Sequence, residues 1–206
     1  MQIYYLCSIK LTVTQSTIAN KGALVNETLS TEDRKLLLEL AREAITASVR
    51  TGKLPSCDIQ APGLLGQQGC FVTIKQKGEL RGCIGNFVSD KPLYTLVREM
   101  AVSAATRDPR FYPMKEADLS GFELEISVLS PLAKIETPEE VEVGRHGLYL
   151  EKNFSRGVLL PQVAVEHGWD RETFLNMTAL KAGLKQDDWK EGADLYVFTA
   201  QVFNEG

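Results

Sequence analysis

Leu80-Arg81-Gly82-Cys83-Ile84-Gly85 is the stretch in which residue type and spacing point to chemistry. Two glycines bracket a thiol inside a run that otherwise reads as a strand. Glycine there weakens packing and marks a close approach by another backbone or a ligand, so Gly82 and Gly85 are candidate ligand-binding positions. Side chains two apart on an extended chain share a face, so Arg81 and Cys83 are expected to point the same way while Leu80 and Ile84 enter the core. A guanidinium beside a thiol favours the thiolate, the nucleophilic form. Cys83 is thus a candidate nucleophile and Arg81 its activator. Most intracellular cysteines are instead small, buried and inert, and Cys7, Cys57 and Cys70 are assigned to that class.

Glu125 and Ser127 share the polar face of the alternating run Phe122 to Val128. If that strand lies beside Arg81-Gly82-Cys83, a carboxylate, a hydroxyl, a guanidinium and a thiol converge. Glu125 could then act as a base, or simply neutralise Arg81. Arg107 and Arg110 bracket Asp108-Pro109 at a helix end. Arg110 could hold an anionic ligand with Asp108 fixing it in place, and a surface turn with a local salt bridge competes equally. Lys181 falls in a last helical turn, where C-terminal capping competes with ligand binding. His146 and His167, in a turn and at a helix end, are read as structural.

The elements that must position these groups follow from pattern and punctuation. Ser30 or Thr31 caps a helix whose apolar residues run from Leu36 to Val49 at helical spacing, and Gly52 ends it. Residues 54–69, with two prolines and three glycines, read as loop. Two strand-like runs, Cys70 to Lys75 and Glu79 to Ile84, flank Gln76-Lys77-Gly78 as a hairpin. A helix spans about Pro92 to Thr106 and stops before Pro109. A second hairpin joins Gly147–Glu151 to Val158–Leu160, and Asp170 caps a helix through Leu180 that Gly183 terminates. Leu195 to Phe203 reads as one final strand. Strands arranged in hairpins predict an α+β fold, with a largely antiparallel sheet and helices packed on it.

At 206 residues and 44% hydrophobic content the chain suits one compact unit, residues 28–206, preceded by an arm over residues 1–27. Net charge of −4 speaks against direct nucleic-acid binding. No apolar stretch approaches the roughly 20 residues that span a bilayer, and Met1 to Lys10 lacks the features of a signal peptide. A cytoplasmic protein with reduced thiols is expected. No Cys-x-x-Cys pair or His/Cys ligand spacing calls for a metal.

The hexapeptide Leu80 to Gly85 resembles the hallmark of the AMMECR domain family. Arg107-Asp108-Pro109-Arg110-Phe111, Glu125 to Leu129, Gly144 to Leu148, Leu159 to Val163 and Lys181 to Leu184 are similar to its other blocks, in family order, so the resemblance covers about Leu29 to Phe203. Two departures are visible: Asn86 stands where a small hydroxyl residue is commoner, and Ala179 where a cysteine is often found, which weakens any two-thiol mechanism. The resemblance implies two unequal lobes with a groove between them. It also implies an AmmeMemoRadiSam system, with a Memo-like protein and a radical S-adenosylmethionine enzyme as partners and a nucleotide or small molecule as the object of their work. This chain has no Cys-x-x-x-Cys-x-x-Cys motif, so radical chemistry belongs to a partner and no cofactor is expected here. A Cys83 enzyme assisted by Arg81 and Glu125, a binding or adaptor module using the same groove, and a purely structural hexapeptide are the three alternatives.

Overall fold

The computed structural model describes residues 28–206 together with the strands β1 (Ser8–Lys10) and β2 (Ile18–Ala19). The rest of the expected arm, with Cys7, lies outside the described residues. The chain forms two compact units, each with its own five-stranded, largely antiparallel sheet.

The first unit contains α1 (Thr31–Thr51), β3 (Cys70–Gln76), β4 (Glu79–Asn86), α2 (Leu93–Thr106), β5 (Phe122–Leu129) and β10 (Ala200–Asn204), in sheet order β1-β4-β3-β5-β10. Helix α1 starts where the sequence demands: Ser30 Oγ accepts the Asp33 amide at 3.0 Å, and Gly52 closes the helix with φ of 69°. Its stripe of Leu37, Leu38, Ala41 and Ile45 meets the α2 stripe of Leu93, Leu96, Val97 and Ala101. Both lie over Val72, Ile74, Leu124 and Ile126 on one face of the sheet. Each fully buried aliphatic side chain here stabilises the unit by about 2 kcal/mol.

The second unit comprises β6 (Leu132–Lys134), β7 (Gly147–Lys152), β8 (Ser155–Leu159), α3 (Pro161–Glu166), α4 (Arg171–Lys181) and β9 (Asp194–Phe198), in sheet order β2-β6-β9-β7-β8. Phe174, Leu175 and Ala179 of α4 pack on Leu148, Leu150 and Val197. Asp170 caps α4 as expected, accepting the Thr173 amide at 2.8 Å. The predicted single strand Leu195 to Phe203 divides at Thr199: β9 stays in the second sheet, whereas β10 joins β5 in the first. Beyond β10, Glu205 pairs with Arg42 of α1 and accepts the Leu124 amide at 3.0 Å. Among the described residues, no helix is long and apolar enough to cross a membrane.

His146 belongs to the second unit and is 4% exposed, and its Nδ1 accepts the Glu142 amide at 3.2 Å. Burial holds its pKa below the ordinary 6.5, outweighing the neighbouring Glu142 charge. The unfolded chain therefore binds more protons than the folded one as pH falls below that value, so stability is full above about pH 6.5 and declines beneath it. Urea titrations at pH 7.5 and 5.5 should show this loss in the parent protein and a smaller one in His146→Gln. Equal losses would mean that His146 is not the titrating group.

Candidate functional site

The geometry around Cys83 is set by a single irregularity. The turn at Lys77-Gly78, with φ of 54° and 80°, is of the type that hairpin twist favours. It pairs Gln76 with Glu79 and Lys75 with Leu80. Regular pairing from there would set Cys83 opposite Val72, on the core face. Instead the register shifts, Gly82 faces Ile74, and Arg81 is left as an extra residue with no counterpart. This β-bulge moves Cys83 opposite Thr73 and turns its thiol to the face away from α1 and α2. Thr73 Oγ1 lies 3.3 Å from Cys83 Sγ.

The same face carries a polar row across three strands. Thr73 is paired with Cys83 on one side and with Glu125 on the other. Glu125 forms a 3.0 Å ion pair with Lys75, which lies two residues from Thr73 and so on the same face. Thr73, Cys83, Lys75 and Glu125 are all half-buried. One row along, Gly85, Phe71 and Ser127 are aligned and buried. The thiol therefore sits where a covered part of the face gives way to a half-open part.

The main chain of Cys83 is held from the other side. Its amide donates to Asp108 Oδ2 at 2.9 Å, and its carbonyl accepts Arg110 Nη2 at 3.3 Å. Asp108 and Arg110 are joined through both carboxylate oxygens, at 2.9 and 2.6 Å, and Asp108 Oδ1 also accepts the Arg110 amide. Together they take the two backbone groups that a neighbouring strand would take. Burial on its own would raise the Asp108 pKa. The Arg110 side chain, the amides of Cys83 and Arg110 and the Arg110 charge outweigh it and hold the carboxyl below its ordinary value.

Several expectations change here. Arg81 cannot be placed on the Cys83 face by counting two residues, because the bulge interrupts the alternation. Its guanidinium donates to the Tyr112 carbonyl at 2.7 Å and lies 3.8 Å from Asp118. Leu80 faces outward with Lys75 instead of entering the core. β5 lies beside β3, so Thr73 separates Glu125 from the thiol, a gap of about 10 Å between strand axes. Gly82 and Gly85 make close approaches, but to the protein itself. A Cβ on Gly82 would meet the Ala104 carbonyl at 2.2 Å, and one on Gly85 would meet the Phe71 ring at 2.3 Å. Lys181 belongs to the second unit, in the last turn of α4.

Residues 38–203 match the sequence profile of the AMMECR1 family. The chain belongs to the AMMECR1 family. Protein MK0488 of Methanopyrus kandleri is 42% identical over 191 residues, spanning 88% of this chain and 92% of that protein. Protein PF1979 of Pyrococcus furiosus is 44% identical over 184 residues, spanning 83% and 87%. In three dimensions the chain resembles the crystal structure of the uncharacterized protein PH0010 from Pyrococcus horikoshii, with a TM-score of 0.76 and 41% identity, covering 82% of this chain and 90% of that one.

Within this AMMECR1 domain, Thr73 is the site residue that sequence reasoning missed. Its position in the first strand of a predicted hairpin was visible, but its pairing with Cys83 depends on the bulge. Lys75 was missed for the same reason. Cys70, one strand over, is fully buried, and burial pushes its thiol far above the usual range, as expected of an inert cysteine.

Proposed function

We propose that Cys83, Thr73, Lys75 and Glu125 form a thiol-centred site that acts on a negatively charged small molecule or nucleotide, with Cys83 as nucleophile. The observation that carries this is the 3.3 Å contact between Thr73 Oγ1 and Cys83 Sγ on a half-open sheet face. A hydroxyl that donates to sulfur stabilises the thiolate over the thiol. An anionic ligand that takes the Lys75 ammonium from its 3.0 Å pair with Glu125 would free that carboxylate to accept a proton on the same face. The Asp108–Arg110 pair fixes the main chain that presents the sulfur. The family resemblance adds the partners, a Memo-like protein and a radical S-adenosylmethionine enzyme, the latter supplying any radical step.

A binding or adaptor module presenting the same surface to such a partner is favoured by one observation. Tyr112 is 88% exposed, and the carbonyl of that same residue takes the Arg81 guanidinium. Exposed aromatics beside arginine are common anchors of protein interfaces.

Alkylation with iodoacetamide across pH 5.5–9, read peptide by peptide, separates the two. Cys57, on the surface loop and half-buried, gives the reference rate, and buried Cys70 gives the blank. A catalytic Cys83 labels faster than Cys57 at pH 7. Thr73→Val removes one hydrogen bond worth about 1 kcal/mol and slows the labelling about fivefold. Labelling of Cys83 no faster than Cys57, and unchanged in Thr73→Val, would remove the nucleophile and leave the adaptor.

A further inference from the structure

The first unit contains a cleft of about 1050 Å³ on the helix side of β4, opposite the face to which the Cys83 thiol turns. Glu99, Val102, Ser103 and Thr106, spaced as one stripe of α2, form one wall. Ile84 and Asn86 of β4 form another, and Ser48, Gly52 and Leu54 at the end of α1 complete it. Its volume lies at the upper end of the range of about 300–1,000 Å³ typical of small-molecule sites.

The charges and polar groups in the cleft are unevenly committed. Glu99 is neutralised by Lys91 through contacts of 2.6 and 2.8 Å, and the Thr106 hydroxyl is spent on the Val102 carbonyl. The side chains of Ser48, Asn86, Ser103 and Arg107 make no hydrogen bond among the described residues, and Arg107 makes no ion pair there. Two hydroxyls, one amide and one guanidinium without an ion pair among the described residues therefore belong to residues lining a space whose remaining walls include Ile84, Leu54, Met100 and Val102. A well-formed cavity with apolar walls and a few convergent polar groups is how proteins hold small ligands. A guanidinium with its donors unused is suited to planar oxyanions.

We infer that this cleft binds a small organic anion, its single oxyanion group on Arg107 and its apolar body between Ile84 and Val102, with Ser48, Asn86 and Ser103 bonding to its heteroatoms. The site is distinct from the Cys83 thiol, and nothing in it requires the thiol to react.

The test uses 8-anilinonaphthalene-1-sulfonate, which carries one oxyanion and an apolar body. Its fluorescence on titration into the full chain should rise to saturation at one site and be displaced by 1-naphthoate but not by uncharged 2-naphthol. Ser103→Trp, which fills the cleft, should abolish binding, and Arg107→Gln, at an exposed position, should weaken it by about tenfold. Cys83→Ala should leave it unchanged, which separates this site from the thiol site. Non-saturating fluorescence, equal displacement by 2-naphthol, or an unaltered affinity in Arg107→Gln would overturn the inference. Ser103→Trp counts only with a parental thermal midpoint; Arg107→Gln carries the test if that variant fails to fold.

Discussion

Asp108→Ala should lower the unfolding free energy by about 3 kcal/mol, in the range for removing one member of a buried charged pair. The carboxylate side chain is 1% exposed and accepts from the Cys83 amide, the Arg110 amide and two guanidinium nitrogens. Alanine leaves the Cys83 amide without its acceptor and Arg110 without its counterion in one step. Arg110 is itself partly solvated, its side chain 25% exposed, so water offsets some of the loss and the upper end of the range is not expected. Urea denaturation at pH 7 measures the cost, and an Asp108→Ala protein as stable as its parent would show that the carboxylate contributes nothing net. The pH dependence has a definite sign. The folded carboxyl titrates below its ordinary value near 3.8, so the unfolded chain takes up the proton first. The contribution is complete above that value and disappears as pH falls through and beneath it. The gap between parent and Asp108→Asn should accordingly narrow between pH 5 and pH 2.

Gly82→Ala should be nearly as costly, about 2–3 kcal/mol, although it adds one methyl group. That methyl would lie 2.2 Å from the Ala104 carbonyl oxygen and 3.0 Å from its carbon, and backbone of a helix cannot swing aside as a side chain can. Either α2 lifts from the sheet, opening space beside Ala101 and Ala105, or β4 shifts and carries Cys83 with it. Gly78→Ala provides the comparison. Its φ of 80° is unfavourable for alanine, but among the described residues nothing lies within 4 Å of the added atom, so only about 1 kcal/mol of conformational strain is involved. Thermal unfolding should place Gly82→Ala roughly 5–10 °C below the parent and well below Gly78→Ala. Amide exchange should show protection lost first in α2. If the two alanine variants melt together, the close approach over Gly82 carries no energetic weight.

How much of this was legible beforehand depended on whether the determinant was local. Ser30 and Asp170 announced their helices because a cap and its amide lie three residues apart. Both hairpins were legible, the first because its turn at Lys77-Gly78 sets the adjacent pairs. What decided the site was not local. A single extra residue at Arg81 reversed the facing predicted for Leu80, and nothing in the spacing of the hexapeptide distinguishes a bulged strand from a regular one. The order that places β3 between β4 and β5, and so Thr73 between thiol and carboxylate, rests on contacts made across long stretches of sequence. The glycines were recognised as points of close approach, but only packing reveals that α2 and Phe71 occupy the space. Likewise Asp108 was expected to support Arg110, while its larger task of completing the backbone of Cys83 belongs to tertiary structure.

Because β10 returns to the first sheet after all of Leu129–Ala200 has been laid down in the second unit, the two units cannot mature in the order of their synthesis. Throughout the synthesis of residues 129–198 the first sheet lacks its outermost strand and the Glu205 clasp on Arg42. During that interval the hydrogen-bonding edge of β5 and the underside of α1 are open to other chains. The nascent polypeptide therefore has its greatest need of a holding chaperone late in translation, and on behalf of the part made first.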